Sequence, residues 1–226
     1  MSQTRLKVAL PAPEECIEPT EFLNFTHPAV QSWLIENLPE GLSVAEKLQH
    51  LYYKVRDGWR YNPYTVHLER EKCTIDFLLT QKHAYCTPKA MLLAAFARAI
   101  GVPSRLGFGD VRNHLSSPRL IEHLRSENFA WHGFTELYLN NEWVACTPAF
   151  DKGLCRKFKV EPMEFDGRSD SLFQEFDKSG RKFMEYTRYR GVYSDLPFEE
   201  MFTSLAEIYP HLFENGMGPG SLYDEV

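Results

Sequence analysis

His83-Ala84-Tyr85-Cys86-Thr87-Pro88-Lys89-Ala90-Met91-Leu92-Leu93-Ala94-Ala95-Phe96-Ala97-Arg98-Ala99-Ile100-Gly101 sets one cysteine at the head of a run rich in alanine and leucine. Proline in the first turn and glycine just past the end are the expected punctuation of a helix. Apolar residues run nearly all round it, which predicts a buried helix. Cys86 then faces unpaired backbone N–H groups and the positive end of the helix dipole, and both favour thiolate over thiol. The same N–H groups can receive the oxyanion that forms when a thiolate attacks a carbonyl. Taken alone, a cysteine that merely packs is the commoner reading.

Downstream, Val102–Gly109 reads as a strand. Phe134–Leu139 and Trp143–Cys146 read as two more, joined through Asn140-Asn141, a hairpin turn. A buried helix followed by an antiparallel hairpin means an α+β fold. A thiol nucleophile needs a base, and Trp131-His132-Gly133-Phe134-Thr135-Glu136 leads into the hairpin. In an extended chain His132, Phe134 and Glu136 share one face while Trp131 points the other way. The competing reading of His132 is a satisfied structural histidine.

Upstream, residues 1–28 are punctuated by Pro11, Pro13, Pro19 and Pro28 and read as an extended arm. Helices are expected over Ala29–Asn37 and Val44–Val55. Ser43 would cap the second, and Leu48, Leu51, Tyr52 and Val55 would form its apolar face. Tyr61-Asn62-Pro63-Tyr64 reads as a turn. Asp110–Asn128 is expected to be a long polar loop with a short helical piece near Leu120–Leu124. Ser169–Lys178, Arg181–Tyr189 and Phe198–Tyr209 are expected helices, and Asn215–Val226 a loose tail. The expected organisation is an arm over 1–28, a core over 29–151, and a mainly helical extension over 152–226 packed on that core.

The chain has 226 residues, 43% hydrophobic and 25% charged, an ordinary globular profile. Lys+Arg of 25 against Asp+Glu of 31 gives a net charge of −6, with no basic run, which argues against nucleic acid as a partner. Met1–Ala12 lacks a long apolar stretch and no run reaches membrane-spanning length, so a cytoplasmic, membrane-free setting is expected. Five cysteines cannot all pair, and in a reducing compartment they are thiols. Cys16, Cys73, Cys146 and Cys155 show no CxxC spacing, which argues against structural zinc. Asp110, His114 and His123 match no ligand pattern and read as a solvated loop. No metal or cofactor is expected.

Two segments gain weight together. Cys86 heads a helix that ends Arg98-Ala99-Ile100-Gly101-Val102-Pro103-Ser104-Arg105. A strand follows, then His132-Gly133-Phe134-Thr135-Glu136-Leu137-Tyr138-Leu139-Asn140-Asn141-Glu142-Trp143-Val144. This order and spacing, over about residues 48–151, resembles the transglutaminase-like superfamily, a papain-like thiol fold. Asp110-Val111-Arg112-Asn113-His114-Leu115 and Glu164-Phe165-Asp166-Gly167 look like a little-studied bacterial branch of it. The resemblance implies a nucleophile helix headed by Cys86, packed on an antiparallel sheet, with His132 as its base. The family's aspartate position, counted from Trp143, falls on Thr147, a departure from the pattern. Asp151, the nearest carboxylate, takes the third role if the chain bends at Pro148, with Thr147 as the alternative. Beside the Cys86 N–H, a further oxyanion donor could come from Gln81, His83 or Tyr85. Trp131 and Trp59 either wall a substrate channel or belong to the core, and burial habits favour the core. Arg105 is expected in a structural ion pair.

The implied chemistry is acyl transfer through a Cys86 thioester, on a peptide or protein substrate or a small amide. A peptidase or amidase is preferred. A protein-glutamine transglutaminase is the alternative, and a catalytically inactive binding module of the same fold is the second alternative.

Overall fold

The computed structural model describes residues 10–114, 116–172, 183–216 and 218–225. A single 3-10 turn at Pro13–Cys16 leads into helices α1 (Pro28–Asn37) and α2 (Val44–Gly58). Ser43 caps α2 reciprocally: its hydroxyl accepts from the Glu46 N–H, and the Glu46 carboxylate accepts from the Ser43 N–H at 2.8 Å. Strand β1 (Arg60–Tyr61), helix α3 (Ile75–Leu79) and strand β2 (His83–Ala84) bring the chain to α4 (Cys86–Ala99). Next come β3 (Ser104–Asn113), α5 (Pro118–Leu124), β4 (Asn128–Leu139), β5 (Glu142–Cys146) and α6 (Lys152–Phe158). The chain continues with β6 (Met184–Tyr193), α7 (Phe198–Ile208), α8 (Pro210–Asn215) and α9 (Leu222–Glu225).

Four strands form one antiparallel sheet in the order β5-β4-β3-β6, and β1 and β2 pair separately in parallel. With α4 laid on this sheet the fold is α+β, as expected. Every residue of α4 from Cys86 to Arg98 is buried. Two cations lie within that stretch, and burial is tolerable because backbone carbonyls surround them. Lys89 Nζ donates to the carbonyls of Arg56, Trp59 and Ala149 at 2.7, 2.8 and 2.6 Å. Arg98 donates to the carbonyls of Ser104, Glu18 and Ser194. Thr135 Oγ1 and Ser104 Oγ each donate to an α4 carbonyl, Ala90 and Ala94 respectively, at 2.8 Å, so the sheet is stitched to the helix. Among the described residues no helix is long and apolar enough to cross a membrane.

Four expectations change. The long loop over 110–128 is much shorter, because β3 continues to Asn113 and β4 already starts at Asn128. The helical piece between them is real and is capped by Ser117, whose hydroxyl accepts from the Leu120 N–H. In the expected helix Arg181–Tyr189, residues 181 and 182 lie outside the described residues and the rest is not helical: from Met184 the chain is strand β6, paired with β3 from Asn113↔Met184 to Leu106↔Tyr193. Tyr186, Thr187, Tyr189, Val192 and Tyr193 supply the aromatic and β-branched residues that suit a pleated edge. In the expected helix 169–178, residues 169–172 are not helical, and Ser171 instead bridges Cys146; residues 173–178 lie outside the described residues. Finally, the tail is docked. Leu222 is buried, and the Glu225 carboxylate accepts from the Ser117 and Tyr64 hydroxyls at 2.5 and 3.2 Å.

Candidate active site

Cys86 begins α4 directly after β2, and the pairing Tyr61↔Ala84 holds β1 alongside it. Opposite stands β4, where His132 pairs with Gly109. The β3–β4 register shifts between Gly109 and Val111, and the extra residue on β4 is accommodated by Trp131 in the left-handed region at φ 59°. A bulge of this kind re-aims the next side chain. Three contacts hold it. The Trp131 N–H donates to Asp110 Oδ1 at 3.0 Å, and its carbonyl accepts from Thr87 Oγ1 at 3.2 Å. Arg190 forms an ion pair with Asp110 at 2.5 and 2.9 Å and lies 4.8 Å over the Trp131 ring. Left-handed backbone costs a tryptophan of order 1–3 kcal/mol, so the surroundings must over-determine it.

Gly133, next along β4, lies so close to the helix terminus that a Cβ there would sit 2.9 Å from both Thr87 Cα and Oγ1. Glycine at this point lets strand and helix approach, so that Cys86 faces His132 and the Gly133 N–H. The electrostatic result separates Cys86 from the other cysteines. Burial pushes its thiol up, but the charge of His132, a hydrogen bond to His132, the Gly133 N–H and Thr87 together outweigh it and bring the thiol below its ordinary value. Cys16, Cys73, Cys146 and Cys155 are also buried and free, and burial pushes each of them up, Cys73 and Cys155 to about 12.

The remaining site residues divide. Tyr85 is the N-cap of α4 and lines the cavity at Cys86, whereas His83 is exposed on β2 and the Gln81 amide donates to Thr80 on the surface. Of the three oxyanion candidates only Tyr85 faces the thiol's cavity. Trp131 lines it too, packed edge-on against Phe108 at 5.4 Å. Trp59 is core and donates to the Leu78 carbonyl. Arg105 forms its ion pair with Glu136 at 2.6 Å and covers the Trp143 ring.

Asp151 does not bond His132. Its Oδ1 accepts from the Gly153 and Leu154 N–H groups, capping α6, and from the Tyr223 hydroxyl. Its Oδ2 accepts from the Tyr61 N–H at 2.8 Å. An N-cap carboxylate with all these donors is spent on holding α6, β1 and α9 together. Thr147 is engaged through its backbone, with its N–H donating to Ser171 and its carbonyl accepting from Tyr52. Thr147 Oγ1 and His132 Nε2 are both buried and neither has a hydrogen-bond partner among the described residues, so no bond joins them. Among the described residues, the site is a thiol–imidazole pair with no carboxylate on His132 Nε2.

Tyr61 is the residue that sequence reasoning missed. Its phenol lies against the Cys86 thiol, and burial together with that thiol pushes its ionisation up. Two-residue strands leave no pattern that could have announced it. Among the described residues, no cluster of three or more His, Cys, Asp and Glu side chains could hold a metal ion.

Cys86 and His132 open onto a cavity of about 110 Å³. Met201 and Leu205 of α7, Tyr209 between α7 and α8, Leu212 of α8 and Leu222 of α9 form one side of it, so the C-terminal helices cover the thiol.

A family model described as the transglutaminase-like superfamily matches residues 35–148. Among solved structures, one similar chain is called a "Putative Cysteine Protease", from Cytophaga hutchinsonii, with 15% identity and a TM-score of 0.46. The match covers 58% of this chain and 40% of that one, so this chain spans well under half the length of that protein. A search of curated proteins finds no match.

Proposed function

Because the chain belongs to the transglutaminase-like superfamily, we propose that it is a thiol-dependent acyl-transfer enzyme that opens amide bonds through a thioester on Cys86. The observation that carries this reading is the opposite treatment of five buried thiols: four are pushed up and Cys86 alone is brought down. A scaffold has no need to hold one thiol below its ordinary value.

In the proposed cycle the Cys86 sulfur attacks the carbonyl carbon. The Cys86 N–H at the head of α4 and the Tyr61 phenol beside the thiol would meet the developing oxyanion. His132 gives its proton to the departing amine, and the carbon–nitrogen bond breaks as the thioester remains. Water, activated by the now neutral His132, then releases a carboxylic acid; a second amine in its place would give transamidation. Apolar helices over the thiol supply shelter for the thioester in either case. Hydrolysis is the preferred outcome. The test is incubation with carboxamide and glutamine-peptide substrates together with a fluorescent amine, following ammonia, cleavage products and amine incorporation separately. Ammonia release without incorporation supports the amidase reading, and incorporation overturns it in favour of a transglutaminase.

One observation favours a second reading, a binding module without turnover: among the described residues His132 Nε2 has no partner to fix its tautomer. On that reading Cys86 still reacts with an alkylating agent, but no substrate yields more than one equivalent of product.

A further inference from the structure

The cavity at Cys86 is lined mostly by apolar side chains. Cys86, Thr87 and His132 meet at one end, and from that end the walls run through Val111, Leu120, Leu124, Phe129, Leu205 and Leu212. Among the described residues no aspartate, glutamate, lysine or arginine lines it; beside Cys86, Thr87 and His132 its polar groups are Asn113, the Trp131 indole and tyrosine hydroxyls. A charged acyl group would lose water there without an opposite charge to meet it, and a stretch of peptide main chain would find few partners for its own N–H and C=O groups. A hydrocarbon loses nothing.

The size bounds the occupant. An apolar cavity of ~150 Å³ holds a benzene ring, and a water molecule takes up ~30 Å³ of liquid. The 110 Å³ here therefore accommodates about four to six carbon atoms. We infer that the substrate is a small uncharged amide whose acyl chain is a hydrocarbon of about four to six carbons, seated under α7–α9 with its carbonyl at Cys86. This rests on the acyl-transfer reading and names its substrate class. For a primary amide the balance is simple: the carbon–sulfur bond forms, the carbon–nitrogen bond breaks, ammonia leaves with the proton from His132, and water later returns the acid and the free thiol.

Binding and chemistry can be tested apart. Cys86→Ala protein is titrated by NMR with acetamide, butyramide, pentanamide, octanamide and the charged succinamate. Kd is expected to fall about fourfold per added methylene from acetamide to pentanamide and to improve no further by octanamide. Succinamate is expected not to saturate, and Leu124→Phe, which narrows the cavity, to move the optimum to a shorter chain. Affinity independent of chain length, or succinamate binding as well as pentanamide, overturns the inference. In parallel, wild-type protein is exposed to the matching p-nitrophenyl esters and the adduct on Cys86 is followed by mass. Acylation without chain-length preference overturns the pocket and leaves the enzyme reading standing. Chain-selective binding with an inert Cys86 overturns the enzyme reading and leaves the pocket. If the alanine variant does not fold, the ester series on wild-type protein carries the same selectivity test.

Discussion

Gly133→Ala puts a methyl group into the closest contact between the two halves of the site. Its Cβ would lie 2.9 Å from Thr87 Cα, 2.9 Å from Thr87 Oγ1 and 3.3 Å from Thr87 Cβ, where ordinary contact begins at 3.4 Å. The nearest of these atoms is backbone at the first turn of a buried helix, so no rotamer change relieves it. Strand β4 and α4 must separate by about 0.5 Å or more, in a core where overpacking typically costs about 1–3 kcal/mol. The same separation withdraws the Gly133 N–H and His132 from Cys86, which are among the groups that hold its thiol down. The variant should therefore show a lowered Tm. Its Cys86 should also be alkylated by iodoacetamide near pH 6.5 about tenfold more slowly, or worse, given how steeply such pairs depend on placement. Intact-mass kinetics with peptide mapping reads the rate at Cys86. Gly58→Ala is the control: it stands at the end of α2, nothing lies within 4 Å of its added Cβ, and it should be neutral or slightly stabilising. A Gly133→Ala protein with wild-type Tm and alkylation rate would refute the claim that the strand–helix approach sets the thiol's state.

Asp151→Asn should lower stability by about 1–3 kcal/mol, since it weakens a cap and a carboxylate that gathers β1, α6 and α9. Cys86 alkylation measured on the folded fraction should stay within about twofold, whereas a catalytic aspartate would cost far more. Thr147→Val removes a buried hydroxyl that has no partner, so thermal melts should show unchanged or raised stability and alkylation kinetics an unchanged Cys86 rate. Asp110→Ala strips the acceptor from the Trp131 N–H and leaves Arg190 buried without its carboxylate. Denaturant unfolding should register a loss of about 3 kcal/mol, with slower alkylation because the bulge that aims His132 relaxes.

Much of the scaffold was written into local sequence. Pro88 and Gly101 bracket α4, and Asn140-Asn141 closes the β4–β5 hairpin. These signals are short in range, which is why they survive without tertiary information. Strand β6 is different: it is an edge strand with exposed Thr187, Arg188 and Tyr189, so its sequence lacks a clean apolar alternation and only pairing with β3 reveals it. Leu222 is a lone apolar residue behind glycines, and its docking depends on a hollow built by distant segments.

The pair Cys86 and His132 could be proposed because each sits at the boundary of a recognisable element. The third position is harder to read: Asp151 lies near Thr147 in sequence, but its carboxylate bonds the Tyr61, Gly153 and Leu154 N–H groups and the Tyr223 hydroxyl instead of His132. Yet Asp151 just before Lys152-Gly153-Leu154 carries the ordinary mark of a helix N-cap, and that signal was available. Tyr61 and the Trp131 bulge had no such mark. One depends on a two-residue parallel pairing, and the other on Asp110 and Arg190 converging from separate strands.

The central claim is that Cys86 is an activated thiol and that His132 activates it. The pH dependence of Cys86 alkylation by iodoacetamide, in wild-type and His132→Ala proteins, tests this most directly. A thiol held below its ordinary value is already ionised at pH values where a free thiol is protonated, so wild-type Cys86 should outpace a free thiol at pH 6 and level off early as pH rises. His132→Ala removes the strongest group opposing burial, so its profile should move to higher pH and its rate at pH 6 should collapse. A wild-type Cys86 that reacts at pH 6 no faster than a free thiol, with a profile that His132→Ala leaves unmoved, would contradict the account.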